Sequence, residues 1–321
     1  MARIVITRPV PEAGIAELRK AHEVTVHDLG PDSGGDEEGI LAVAREADAL
    51  ISMLDNPLTA RVMAGCPRLK VIAQYAVGYD NIDLEAARAR GIVVTHTPGV
   101  LTEATADFTM ALMLALARRL PEAERYVRAG RFRRWEATTL LGMELRGKTL
   151  GIVGLGRIGA AVARRALGFG MQVVYHNRRR ANPTVERMAC ARFVPLETLL
   201  AESDVVSLHC PLNAESRHLI DAAALARMKP TALLVNTARG AVVDEAALVE
   251  ALRAGRLAGA ALDVFEHEPA IHPGLLELDR VVLAPHLASA TTETRTEMAR
   301  MCARAVMAVL EGEEKIPYRL V

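Results

Sequence analysis

Charge of one sign is what this 321-residue sequence most plainly lacks: 39 Lys and Arg stand against 39 Asp and Glu. Without a basic excess nothing holds a phosphate backbone by counterion release, so no nucleic acid partner is expected. Cysteine is sparse and scattered. Cys66, Cys190, Cys210 and Cys302 have neither metal-ligand nor disulfide spacing, so no metal is expected and the thiols read as buried groups in a reducing compartment. The longest apolar run, near Phe108 to Ala117, is too short to cross a bilayer. The N-terminal MARIVITRPV reads as a strand and not as a cleavable leader. These absences predict a cytoplasmic protein with no membrane partner. What is present is a composition that is 51% hydrophobic, enough for a sizeable core in about two domains.

The stretch that organises the chain is Leu150 to Gly159, LGIVGLGRIG. Leu150, Ile152 and Val153 fit a buried parallel strand, and Ala160 to Leu167 is a run of strong helix formers. Between them lies G-x-G-x-x-G, in the strand–turn–helix context that gives this motif meaning. Gly154 allows the tight turn, Gly156 lets a pyrophosphate approach the backbone, and Gly159 lets helix and strand pack closely. The phosphates then rest on free N–H groups at the helix start, which predicts dinucleotide binding through Gly154, Leu155, Gly156, Arg157, Ile158 and Gly159.

Strand and helix patterns alternate on both sides of this motif. Arg3–Thr7, Glu23–His27, Ala49–Met53, Leu69–Gln74 and Ile92–Thr95 read as strands, with helices at Pro11–Lys20 and near Ile40–Glu46 and a polar turn over Pro31–Glu38. Glu103–Arg119 reads as a long buried helix leading into a second unit, and Arg131–Leu145, with the only tryptophan, Trp135, as irregular chain. Six strands follow: Thr149–Val153, Gln172–Tyr175, Val205–His209, Ala232–Asn236, Gly259–Asp263 and Val281–Leu283, with a helix at Asp244–Ala254. Thr292–Leu310 reads as a final helix returning to the first unit. The expected fold is α/β with two doubly wound domains.

One further absence bears on the cofactor. An acidic residue ordinarily ends the second strand of such a unit and binds the ribose 2′-hydroxyl of NAD. Here the strand ends at Asn177, followed by Arg178, Arg179 and Arg180. A carboxylate would repel a 2′-phosphate, and guanidinium groups can bind it, so NADP(H) is expected to be preferred, with NAD(H) possible. Arg239, Glu268 and His286 each follow a predicted strand of the second unit, at the edge where ligands bind in such sheets. A cation, a carboxylate and an imidazole suit carbonyl reduction: His delivers the proton and Arg holds a substrate carboxylate.

Gly154–Gly159, Asn236–Gly240, Asp263–Pro269 and Ala284–His286 resemble, in order and spacing, the D-isomer-specific 2-hydroxyacid dehydrogenases. The likeness runs over nearly the whole chain. It implies a Rossmann-type NAD(P)-binding domain over 102–286 and a flavodoxin-like substrate-binding domain over 1–101 and 287–321. By position it implies Arg239 as the substrate arginine, Glu268 as the acid paired with His286, and His286 as the proton donor. Glu266 lies nearer the strand, but Glu268, before Pro269, holds the family position. Thr105 would approach the nicotinamide end, and His209, Cys210, Pro211, Thr237, Ala238 and Asp263 join the cofactor residues. Within the family, Val77–Asp83, Thr97–Asp107 and His286–Thr291 look most like the glyoxylate/hydroxypyruvate reductases. That branch implies NADPH-dependent reduction of glyoxylate to glycolate and of hydroxypyruvate to D-glycerate. The amides of Val77 and Gly78 would hold the small 2-oxo acid's carboxylate, with Leu54 close by. Ala288 stands where many members have Gly. A homodimer is implied through Arg119 to Leu145, with Trp135 either reaching the partner's active site or serving as a plain core or interface aromatic. Alternatives are a phosphoglycerate or phosphite type of dehydrogenase, and a non-enzymatic dinucleotide-sensing protein.

Overall fold

The structure is a computed structural model that describes residues 1–30 and 34–321, so the turn expected from Pro31 falls partly outside it. The chain divides into two compact units, Met1–Leu101 with Ala290–Val321, and Thr102–Ser289. The return to the first unit comes after Ser289, later than the 287 expected. The physical reason is local: the amides of Leu287 and Ala288 are held by the Asp263 carboxylate of the second unit, at 2.6 and 2.8 Å.

The first unit is a parallel sheet of β1 (Arg3–Ile6), β2 (Glu23–Val26), β3 (Ala49–Ser52), β4 (Val71–Gln74) and β5 (Val93–Thr95), in the order β2-β1-β3-β4-β5. That is the flavodoxin-type order of a doubly wound sheet. Its helices are α1 (Glu12–Ala21), α2 (Glu37–Ala44), α3 (Ala60–Gly65) and α4 (Leu84–Ala89). Strand residues alternate between faces with period two. Val5, Leu50, Ile72 and Val94 pack with Ile40, Val62 and Ala87 of α2, α3 and α4. The final helix of the chain, Thr292–Leu310, docks on this unit beside α1. A Cβ on Gly14 would come within 2.3 Å of the Ala299 Cβ, so only glycine permits that approach.

The second unit begins with α5 (Thr102–Ala117) and α6 (Leu120–Arg128). A seven-stranded parallel sheet follows: β6 (Thr149–Val153), β7 (Gln172–His176), β8 (Ala191–Phe193), β9 (Val205–Leu208), β10 (Leu233–Asn236), β11 (Gly259–Leu262) and β12 (Val281–Leu283). Its order is β12-β11-β10-β9-β6-β7-β8, so strand order reverses between β6 and β9. The sequence predicts six strands; the seventh, β8, has three residues of which Arg192 is exposed, too short and too polar to carry a periodic signal. Helices α7 (Arg157–Gly168), α8 (Pro183–Ala189), α9 (Leu196–Glu202), α10 (Ala222–Arg227), α11 (Glu245–Arg253) and α12 (Pro273–Leu276) complete it, and the returning helix is α13. Both faces of the sheet are covered, as parallel strands require. Leu150, Ile152, Leu233 and Val235 pack under α5 and α7, while Val153, Val206, Leu208 and Leu234 pack against α9, α10 and α11.

The four thiols are free. Cys66 and Cys302 are buried, but Cys190, at the C-cap of α8, is exposed, which corrects the expectation that all would be buried. No helix among the described residues is long and apolar enough to cross a membrane.

Candidate active site

The turn after β6 has the form its three glycines predict. Gly154 has φ +102°, in the region that favours glycine. A Cβ there would lie 2.7 Å from the His209 carbonyl carbon and the Cys210 nitrogen, at the end of β9. A Cβ on Gly159 would lie 2.2 Å from the Gly154 oxygen, and one on Gly156 would meet nothing within 4 Å. Gly156 is also the N-cap of α7 and supplies no side-chain cap, so the first amides of a twelve-residue helix make no hydrogen bond to a capping side chain, beside the space left open at Gly156. An oxyanion such as a pyrophosphate suits such a cradle. Asn177 ties the turn to β7: its Oδ1 accepts the Leu155 N–H at 2.7 Å. The side chain replacing the usual acid therefore braces the glycine turn.

The three arginines after Asn177 differ from one another. Arg178 pairs with Glu215, and Arg180 with Glu186, which also accepts from the Tyr175 hydroxyl. Arg179 is exposed and makes no ion pair among the described residues, and the same holds for Arg157 on the first turn of α7. His209 has its Nδ1 buried without a hydrogen-bond partner among the described residues, and burial pushes the imidazole down to about 3, so it is neutral. An orphaned buried ring nitrogen beside the glycine turn, like the open face at Gly156, fits a site built for a ligand. Cys210 is half-buried and Pro211 exposed on the same loop. Thr105 is buried on α5. Its carbonyl accepts from the Thr109 hydroxyl at 2.8 Å, and the Thr109 hydroxyl oxygen lies 2.9 Å from that of Thr237, after β10. Ala238 beside it is half-exposed.

Arg239, Glu268 and His286 come together at the carboxyl edge of β10, β11 and β12. The His286 Nδ1 lies 2.9 Å from Glu268 Oε2 and, facing a carboxylate, donates to it. The other Glu268 oxygen accepts the Phe265 N–H at 2.9 Å. Burial raises the Glu268 pKa, but the bond to His286 and its charge, the Phe265 amide and the Arg239 charge outweigh it and hold the carboxyl below its ordinary value. The residue after Arg239 abuts the same turn: a Cβ on Gly240 would lie 1.8 Å from the Phe265 carbonyl carbon. Asn236 at the end of β10 shapes this loop, donating to the Arg239 carbonyl and accepting the Ala238 N–H.

His286 has φ +54°, a left-handed conformation rare for a residue with a Cβ. Asp263 enforces it. Its carbonyl accepts the His286 N–H at 2.8 Å and its two carboxylate oxygens accept those of Leu287 and Ala288. Asp263 is fully buried, and that burial raises its pKa against the pull of the two amides. Its side chain faces inward and is committed to the backbone that carries His286.

Leu54, Val77 and Gly78 belong to the first unit, on loops leaving β3 and β4, and all are half-exposed. The Gly78 carbonyl accepts from the Gln74 side chain and the Val77 carbonyl from His96 Nδ1. Trp135 is 80% exposed, which rules out a core role for it in this chain. Sequence reasoning missed Glu245, His218 and Arg217. Glu245 accepts the Glu266 N–H, and Glu266 accepts from His218 and Arg217. Nothing in their spacing marks them, because they meet from the start of α11, the segment of Arg217 and His218, and the turn after β11. Of the two acids in this turn, Glu268 faces His286 and Glu266 faces His218.

Residues 110–288 match the family model described as D-isomer specific 2-hydroxyacid dehydrogenase, NAD binding domain. The chain is 51% identical to a glyoxylate reductase of Korarchaeum cryptofilum over 99% of this chain and 95% of that protein. It is 49% identical to a glyoxylate reductase of Thermococcus litoralis, over 99% and 96%. Among solved structures it resembles the NADPH-dependent glyoxylate/hydroxypyruvate reductase of Sinorhizobium meliloti, solved with NADP and malonate. That match has TM-score 0.88 and 34% identity over 100% of this chain and 97% of that one.

Proposed function

The chain belongs to the D-isomer specific 2-hydroxyacid dehydrogenases and is an NAD(P)-dependent oxidoreductase, and from that premise we propose that it reduces glyoxylate to glycolate and hydroxypyruvate to D-glycerate, with NADPH preferred. The observation that carries this reading is the His286–Glu268 contact beside Arg239, at the carboxyl edge of a dinucleotide-type sheet. His286 donates its Nδ1 proton to Glu268, which leaves Nε2 to deliver a proton to the substrate's carbonyl oxygen. Arg239 pairs with the carboxylate of the 2-oxo acid and polarises the carbonyl. The backbone N–H groups of Val77 and Gly78, with Leu54 alongside, contribute to carboxylate binding. The reduced nicotinamide supplies the hydride when bound.

Gly154 to Gly159 hold the pyrophosphate, with Thr105, His209 to Pro211, Thr237 and Ala238 along the rest of the dinucleotide. NADPH preference rests on the missing acid at Asn177 and on the cations after it. Arg179 carries most of it, since its guanidinium is uncommitted, and Arg178 joins it by leaving Glu215. We assign a homodimer to the segment from Arg119 to Leu145, where Val127, Phe132, Trp135 and Leu141 are each more than half exposed and make an apolar surface of the kind an interface covers.

The test is a steady-state assay that crosses glyoxylate and hydroxypyruvate with NADPH and NADH. Turnover of either acid with NADPH favoured is expected. Turnover with NADH favoured removes the cofactor assignment and leaves the chemistry. No turnover of either acid with either cofactor sinks the reductase reading and brings phosphite oxidation or dinucleotide sensing forward.

A further inference from the structure

A glutamate in the first turn of a helix is ordinarily a surface residue, favoured there by the helix dipole. Glu245 has that position on α11, directly after the capping Asp244, yet it is only 4% exposed. Its carboxylate faces the turn after β11 and its Oε1 accepts the Glu266 N–H at 2.7 Å. Burial raises its pKa and the Glu266 amide opposes that rise. A carboxylate taken out of water needs such partners, or its burial is costly.

Glu266 is held a second time through its side chain. Its Oε1 accepts from His218 Nε2 at 2.6 Å and from the Arg217 guanidinium at 3.0 Å. His218 is fixed in turn by its own N–H, which donates to the Ala241 carbonyl on the Arg239 loop. Two residues beyond Glu266 is Glu268, with one oxygen on the Phe265 amide and the other on His286. The turn that presents Glu268 is therefore anchored at the Glu266 backbone, at the Glu266 side chain and at Phe265. Of the groups that hold it, Glu245 is the buried carboxylate that takes the backbone N–H of Glu266.

We propose that Glu245 is a positioning residue of the reductase: by accepting the Glu266 N–H it fixes the turn that sets the Glu268 carboxylate on His286. Without that acceptor the Glu266 amide is left buried and unpaired, and the turn relaxes to solvate it. Glu268 moves with the turn, and His286 loses the partner that orients its ring. The glycine turn and Arg179 lie elsewhere in the unit and make no bond to this network.

The inference rests on the reductase reading above. Its test uses the full-length enzyme, with kcat and KM for glyoxylate, NADPH affinity by fluorescence, and thermal stability. Glu245→Ala is expected to lower kcat about 10- to 100-fold, as an angstrom-scale misplacement does, and to leave NADPH affinity within about 2-fold. Glu245→Gln keeps an acceptor oxygen and is expected to hold kcat within about 3-fold of the parent. Unchanged kcat in Glu245→Ala overturns the inference, as does a loss confined to KM or to NADPH affinity, or an equal fall in Glu245→Gln. If Glu245→Ala does not fold, Glu245→Asp decides: its shorter arm withdraws from the amide, so a fall in kcat with near-parental melting supports the proposal and parental kcat overturns it. An active parent with an equally active Glu245→Ala sinks this inference alone. A parent inactive on every 2-oxo acid sinks the reductase reading with it.

Discussion

In the five-stranded unit the ends of β3 and β4 are joined to each other by a network of groups without charge, beside which Arg8 pairs with Asp55 and His96 holds the Val77 carbonyl. The Ser52 hydroxyl donates to Gln74 Oε1, and the Gln74 amide nitrogen donates to Asn81 Oδ1 and the Gly78 carbonyl. The Asn81 amide nitrogen reaches the carbonyls of Met53 and Asn56, and Asn56 accepts from Thr7. At the corresponding edge of the seven-stranded unit the loops are joined by Asp263, Glu268, Glu245, Glu266, His286 and His218. Both edges are the carboxyl ends of parallel strands, so topology does not separate them. The neutral network adds about 1 kcal/mol per bond and keeps its shape at any moderate pH, whereas bonds to ionised groups add about 1.5–3 kcal/mol and change when a proton moves. A charged edge suits proton delivery and a neutral one suits a rigid rim of backbone amides.

The largest effect that tests this contrast is His286→Ala. Removing the proposed general acid is expected to lower kcat/KM for glyoxylate about 100- to 10,000-fold, with NADPH still bound. Measured turnover near the parent value would dissolve the distinction between the edges. Glu268→Gln comes next, with an expected loss of about 10- to 100-fold, because the imidazole keeps a neighbour but loses its charged partner. The parent's pH profile carries the sign. Glu268 is held below its ordinary value, so the rate that needs it ionised is fully present above that lowered pKa and is lost only as pH falls through it. The acid limb of kcat/KM should therefore lie below the usual carboxylate range, about 4.3, and Glu268→Gln should abolish that limb. An acid limb that persists unchanged in the variant would assign it to another group.

Much of this arrangement was legible along the chain. The glycine motif, the strand ends carrying Arg239, Glu268 and His286, and the final helix Thr292–Leu310 follow from local pattern, because each is a short-range feature of period, turn chemistry or spacing. Strand β8 and helices α3, α4 and α6 were missed: in the first three, three to six residues hold too little periodicity and the caps Thr59 and Asp83 are single residues, while α6 follows Arg119, which supplies no side-chain cap. The left-handed backbone of His286 and the inward turn of Asp263 arise from hydrogen bonds between loops more than twenty residues apart, which no local pattern encodes. Glu245 was hidden for a further reason. A first-turn glutamate after an aspartate cap already has a sufficient local explanation, and only its burial reveals another task.

Cofactor choice sharpens the comparison inside the charged unit, where committed and uncommitted arginines stand side by side. Arg179→Ala is expected to lower the ratio of kcat/KM with NADPH to that with NADH by about 10-fold, the size of one exposed charge-assisted bond to phosphate. Arg180→Ala, whose guanidinium is already spent on Glu186, should move the ratio less. Equal effects from the two, or none from either, would mean that the run acts as a solvated turn.

The smallest effect on rate is expected on the neutral side. Gln74 is fully buried, and Gln74→Leu leaves the Ser52 hydroxyl and Asn81 Oδ1 each short of a partner. Two stranded polar groups cost about 1–3 kcal/mol each, so chemical denaturation should show a clear loss of stability. The Gly78 carbonyl loses its donor as well, and the loosened turn should raise KM for the 2-oxo acid about 3- to 10-fold, with kcat nearly unchanged. Because no group in this network titrates at moderate pH, the acid limb of kcat/KM should stay where the parent has it. A limb that moves in Gln74→Leu would show that the neutral edge governs the proton step after all, and the division of labour between the two edges would fall.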